Sequence, residues 1–68
     1  MMQKIINTHV DGTDVQEVNL WSHKTKRDKI VAKCKDEDIV TEMESDGTYS
    51  KVRTEDGKEG WCMSGFLK

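Results

Sequence analysis

Asp46-Gly47-Thr48-Tyr49-Ser50-Lys51-Val52-Arg53-Thr54-Glu55-Asp56-Gly57-Lys58-Glu59-Gly60-Trp61-Cys62 is the stretch that decides the fold. Each Asp-Gly pair in it is a strong turn signal, because glycine accepts positive φ at no steric cost. Between the pairs, Tyr49, Lys51 and Arg53 alternate with Ser50, Val52 and Thr54. A period of two puts successive side chains on opposite faces and fits a strand, not a helix.

The same grammar extends towards the N-terminus. Asp11-Gly12 is a third turn signal, Val18 and Leu20 alternate with Asn19 and Trp21, and Ile30, Ala32 and Cys34 alternate with Val31, Lys33 and Lys35. These runs are rich in the β-branched and aromatic residues that suit a pleated surface. From Asp38 to Glu44 two registers stand. Either Ile39, Thr41 and Met43 face inward, or Val40 does with Glu42 outside the pattern; a slip of one residue exchanges the faces. No 3.6-residue period with caps is sustained, so no helix beyond one turn is expected. Roughly five to six short strands are too few for a sandwich, whereas a bent barrel hides most strand edges around one core. The expectation is an all-β, antiparallel barrel over residues 18–68, with residues 1–17 an extension or an added strand from Ile5 to Val10.

Size and charge narrow the function. A chain of 68 residues has room for one core. Hydrophobic residues make up 34% and charged ones 35%, but the net charge is only -2 and Val, Ile and Thr recur, which speaks against disorder. Lys24, Lys26, Arg27 and Lys29 form the one basic cluster, in a polar run that reads as a solvated loop, so nucleic acid is not expected as a partner. No run approaches the ~20 apolar residues of a membrane helix, and residues 1–10 lack the apolar centre of a signal peptide. The compartment stays open: cytoplasm, or the cell wall as part of a larger or phage-derived protein.

From Val18 onward the order of features resembles the bacterial SH3 family. Val18-Asn19-Leu20-Trp21-Ser22 is similar to its opening motif, hydrophobic-Asn-hydrophobic-Arg-Ser, and Ile30-Val31-Ala32-Lys33-Cys34-Lys35 to its next strand. Asp36-Glu37-Asp38 stands where the family has a Lys-Gly-Asp type of turn, and Asp46-Gly47-Thr48-Tyr49-Ser50-Lys51-Val52 resembles Asn-Gly-x-Trp-x-Lys-Val. The fullest likeness is Asp56-Gly57-Lys58-Glu59-Gly60-Trp61-Cys62 with Ser64-Gly65-Phe66-Leu67, against Asp-Gly-x-x-Gly-Trp-Val and Ser-x-Tyr-Leu. Trp21 replaces the usual arginine, His23-Lys24 the usual Gly-Pro, Glu37 a glycine and Tyr49 a tryptophan. These departures fall mostly in loops and bear on ligand identity more than on fold. The resemblance implies an SH3-like barrel.

Catalysis is not expected. The chain offers Cys34, Cys62, His9 and His23, but both cysteines fall at inward positions, where a thiol in apolar surroundings is inert. No nucleophile elbow, HExxH or Gly-rich phosphate loop occurs. The cysteines are either a disulfide or a reduced pair of small hydrophobes. His9, His23 and the cysteines lack ligand spacing, and Asp36-Glu37-Asp38 lacks the alternation of a calcium loop. Neither metal nor cofactor is expected.

A binding surface remains, and the aromatics point to it. Trp21 is out of phase with Val18 and Leu20, Trp61 with Cys62, and Tyr49 with Val52. All three face outward, to line a groove or, for the tryptophans, to cap an open barrel end; Phe66 reads as core. The family resemblance implies a module that recognises bacterial cell-wall peptide or glycan. Trp21, Tyr49 and Trp61 would contact the ligand, and Asn19, Ser22, His23 and Asp46 would hydrogen-bond to it. Asp36-Glu37-Asp38 and Glu42, Glu44 and Asp46 would attract an amine of the stem peptide. The alternative is an intracellular protein-interaction module that binds a peptide in the same groove or at a sheet edge, or self-assembles as a homodimer.

Overall fold

The structure, a computed structural model, describes residues 2–10, 12–26 and 28–68. Asp11 of the first Asp-Gly pair and Arg27 of the basic cluster lie outside the described residues. The strands are β1 (Met2–Ile5), β2 (His9–Val10), β3 (Thr13–Asp14), β4 (Val18–Trp21), β5 (Ile30–Cys34), β6 (Ile39–Ser45), β7 (Tyr49–Thr54) and β8 (Glu59–Met63). A 3-10 turn, Ser64–Phe66, follows β8. The fold is all-β, as the turn signals and the period of two require.

Six strands form one antiparallel sheet in the order β1-β6-β7-β8-β4-β5, and β2 and β3 make a separate hairpin. Only residues 35–38 connect β5, at one end of the sheet, to β6, next to the other end. So short a link forces the sheet to curl. No ladder joins β5 to β6 among the described residues, so the barrel stays open along that seam.

The turns are built as the sequence predicts. Gly47 and Gly57 have φ of 93° and 91°, the left-handed region open to glycine. Ahead of Gly47's strand, Asp46 Oδ1 accepts the Thr48 and Tyr49 N–H groups at 2.9 and 2.8 Å, fixing the start of β7. Gly60 is needed for a different reason. A Cβ there would lie 2.6 Å from Val31 Cγ2 and 2.8 Å from Leu20 Cβ, so β8 passes too close to β4 and β5 for any side chain.

Ile6, Val18, Leu20, Cys34, Val40, Val52 and Cys62 make the buried core, with Val15, Val31, Ala32, Phe66 and Leu67 packed against it. This settles the register of β6: Val40 is 1% exposed and Ile39 43%. Glu42 is not outside the pattern, as the second of the two registers had it. It stays in phase with Val40, and its Oε2 accepts the hydroxyl of the buried Ser50 at 2.8 Å. A β-bulge between Glu42 and Glu44 then shifts the register, which is what blurs the alternation of this strand.

β1 belongs to the six-stranded sheet, and Ile6 to its core. A single strand from Ile5 to Val10 does not form; β1 ends at Ile5, and Ile6 turns fully into the core. The Ile6 N–H donates to the Asp38 carbonyl at 2.9 Å, and its carbonyl accepts the Glu37 N–H at 2.7 Å. On its other side Ile6 bridges Leu67, and the Asn7 N–H donates to the Phe66 carbonyl at 2.7 Å. Glu37 makes its bond from left-handed backbone, φ 69°. Among the described residues, no helix is long and apolar enough to cross a membrane.

Candidate functional site

Alternation along β4, β7 and β8 divides each strand between core and outer face. Val18 and Leu20, Ser50 and Val52, and Gly60 and Cys62 are buried, which turns Asn19 and Trp21, Tyr49 and Lys51, and Trp61 and Met63 the other way. The register then brings the outward residues together. Trp21 lies opposite Trp61 across β4 and β8, while Tyr49 lies opposite Met63 and Lys51 opposite Trp61 across β7 and β8.

A cleft of about 200 Å³ opens on this face. Trp21, Tyr49, Trp61 and Asn19, four of the residues singled out from the sequence, line it. Each of the four is half-buried, so each offers a face without being sealed in. Phe66 lines the cleft as well as packing on the core.

One edge of the cleft carries charge. The Lys24 ammonium lies 5.6 Å from the centre of the Trp61 ring, within the range of a cation–π interaction. It also sits 2.7 Å from Asp46 Oδ2. The Lys24 ammonium, with the Tyr49 and Thr48 N–H groups, holds the Asp46 carboxyl well below the usual carboxylate range.

Three residues expected to meet the ligand do not line the cleft. Asp46 acts one step back, positioning Lys24 and the start of β7. Ser22 Oγ lies 3.0 Å from His23 Nδ1 and donates to Asp28 Oδ1 at 3.4 Å, so Ser22 and His23 make a local loop network. Three of the acidic residues expected to attract an amine are likewise engaged elsewhere. Asp36 Oδ1 accepts the Thr8 N–H at 3.0 Å, Asp38 Oδ2 accepts the Lys35 N–H at 2.8 Å, and Glu42 accepts Ser50.

The carboxylate that does line the cleft is Glu17, beside Val15, and Met63 and Lys24 join them. Glu17 is in phase with Asn19 and Trp21, and Met63 with Trp61, so following the period of two along β8 and one step ahead of β4 finds both. Lys24 sits in a loop, where no phase exists to find it.

Cys34 and Cys62 are free and buried. Burial pushes their thiols up to about 11 and about 12, respectively, so both stay protonated at neutral pH. His9 stands away from the cleft lining, its Nδ1 2.8 Å from Asp14 Oδ1 and its Nε2 3.9 Å from Asp36 Oδ2. Among the described residues, no group of three or more His, Cys, Asp and Glu side chains could hold a metal ion.

A second, wider cleft of about 300 Å³ follows the open seam, between Lys33 and Cys34 of β5, Ile39 and Val40 of β6, and the β7–β8 turn. No aromatic side chain is among its lining residues. Comparison with protein-family models, curated proteins and solved structures finds no match for this chain.

Proposed function

We propose that this domain is a non-catalytic binding module of the bacterial SH3 type, and that it recognises bacterial cell-wall peptide or glycan in the aromatic cleft. One observation carries the reading: Trp21, Tyr49, Trp61 and Asn19, separate in sequence, line a single cleft. Flat aromatic side chains offer contact area at low entropic cost, and the Asn19 amide both donates and accepts hydrogen bonds. Glu17 is the carboxylate on the cleft lining, placed to meet an amine on the ligand. The order of motifs from Val18 to Leu67 supports the choice of wall material.

The test is retention of the purified domain on washed cell walls from several Gram-positive species, with Trp61→Ala and Asn19→Ala alongside, each checked for folding. Retention by some walls, lost in the folded variants, is the expected result. Absence of retention on every wall defeats the reading for those species.

The open edge of β5 favours a second reading, an intracellular module that takes a partner's extended segment as an added strand. Ile30 on that strand and Ile39 across the seam are 40% and 43% exposed. A proline at the edge, Ile30→Pro, would then abolish partner capture and leave wall retention unchanged.

A further inference from the structure

The aromatic cleft already holds a cation, and that cation comes from the chain itself. The Lys24 ammonium is bracketed by the Trp61 ring at 5.6 Å and the Asp46 carboxylate at 2.7 Å. Glu17 lines the same cleft. An aromatic face beside a carboxylate is the surrounding that suits an organic ammonium ion, because the ring's quadrupole and the charge act in the same sense.

Lys24 is poorly suited to stay there permanently. It lies in the loop between β4 and β5, on a flexible four-carbon stem whose ammonium is strongly hydrated. Its side chain is 41% exposed and that of Asp46 40%, and an ion pair so exposed to water contributes little. Asp46, by contrast, is anchored independently by the Thr48 and Tyr49 N–H groups on Oδ1. Oδ2 therefore keeps its position when Lys24 swings out.

We infer that the cleft is a subsite for a primary alkylammonium group on a peptide, a free N-terminus or an amine-bearing side chain, and that Lys24 is its built-in competitor. The inference rests on the proposed role of the cleft as a peptide-binding surface and names the chemical group read there. A ligand amine takes the place of the Lys24 ammonium between Trp61 and Asp46, which stands just behind the lining, with Glu17 as the carboxylate on the lining itself. Lys24 weakens the binding of any amine that competes with it, and a ligand with further contacts along Trp21 and Tyr49 makes up for that loss.

The experiment is a titration of the domain with Nα-acetyl-lysine-N-methylamide, read by the indole N–H resonance of Trp61, with the Nε-acetylated, uncharged compound as control. Wild type, Lys24→Gln and Asp46→Asn are compared; Asn keeps the Oδ1 acceptor for the turn. Lys24→Gln is expected to bind the amine about three- to ten-fold more tightly than wild type. Asp46→Asn should weaken binding, and the uncharged compound should not bind. Equal binding by wild type and Lys24→Gln, or equal binding of the charged and uncharged compounds, overturns the inference. Wall retention that persists together with either of those results removes the amine inference alone. Amine binding with the expected order of variants, but without retention on any wall, supports the inference and removes the cell-wall reading.

Discussion

Trp21 and Trp61 stand opposite each other where β4 meets β8, the junction that ties β4 and β5 to the rest of the sheet. The two residues that line the cleft are thus also cross-strand partners at a structural joint. Facing aromatic pairs add about 0.5–1.5 kcal/mol beyond the area they bury. A double-mutant cycle with Trp21→Ala and Trp61→Ala, followed by urea unfolding, should show a coupling of that size. Additive effects would mean that the pair contributes to the cleft and not to the joint.

Gly60→Ala should destabilise the domain by about 1–3 kcal/mol, the usual cost of overpacking. The new methyl would meet Val31 Cγ2 at 2.6 Å and Leu20 Cβ at 2.8 Å. Val31→Ala in the same chain should recover part of the loss, since it removes one of the two obstacles. Denaturation midpoints of the single and double variants provide the check.

Glu37→Gly should stabilise the domain. Glu37 holds φ of 69°, which costs a residue with a Cβ roughly 1–2 kcal/mol. The greater freedom of glycine in the unfolded chain offsets part of that, leaving a net gain of about 0.5–1 kcal/mol. The Glu37 N–H to Ile6 carbonyl bond survives the change, because it is made by the backbone. A higher melting temperature is the expected readout.

Stability should also depend on pH through His9. The hydrogen bond to Asp14 and the nearby charge of Asp36 raise its pKa above the ordinary 6.5, against the opposing effects of desolvation and of Lys68. The folded form therefore binds the proton more tightly than the unfolded one. This contribution is complete below 6.5 and is lost as pH rises through the raised value. Asp36, Asp46 and Asp56 have lowered values, so their contributions are present above the ordinary 3.8 and fade as pH falls through the folded ones. Urea midpoints followed across pH should fall at both ends, and His9→Gln should flatten the alkaline side alone.

Thiol reagents should label Cys34 and Cys62 slowly in the folded domain. Both are buried with thiols raised to about 11 and about 12, so little thiolate is present to react. Modification should speed up sharply in denaturant, and rapid labelling of the native domain would contradict the packing described.

What the sequence made legible was local. Asp46-Gly47 and Asp56-Gly57 declare their turns with adjacent residues, and the alternation from Tyr49 to Thr54 needs no partner to be seen. The same alternation placed Trp21, Trp61, Tyr49 and Asn19 on one face, and the register of β4, β7 and β8 then brought them together. Loop residues have no such phase. Ser22, His23 and Asp46 could be chosen only by resemblance, and the loop turns their side chains to Asp28 and Lys24. β6 was ambiguous because its bulge lies in the pairing with β7, a strand the alternation of β6 does not reveal. Ile6 was hidden for a similar reason: Asn7 and Thr8 follow it, and its burial comes from Asp38 and Leu67, far away in the chain.

The enclosure of Ile6 has a consequence for the order of events during synthesis. Ile6 is synthesised well before its neighbours, which become available only when residues 37–38 and then 66–67 have emerged. The nascent chain can rehearse the hairpin of β6 and β7, yet it cannot close its core around Ile6 until translation has delivered Leu67. Such dependence on distant pairings slows folding to roughly the millisecond-to-second range. During that interval the apolar side chains of the unfinished barrel remain open to chaperones and to other nascent chains.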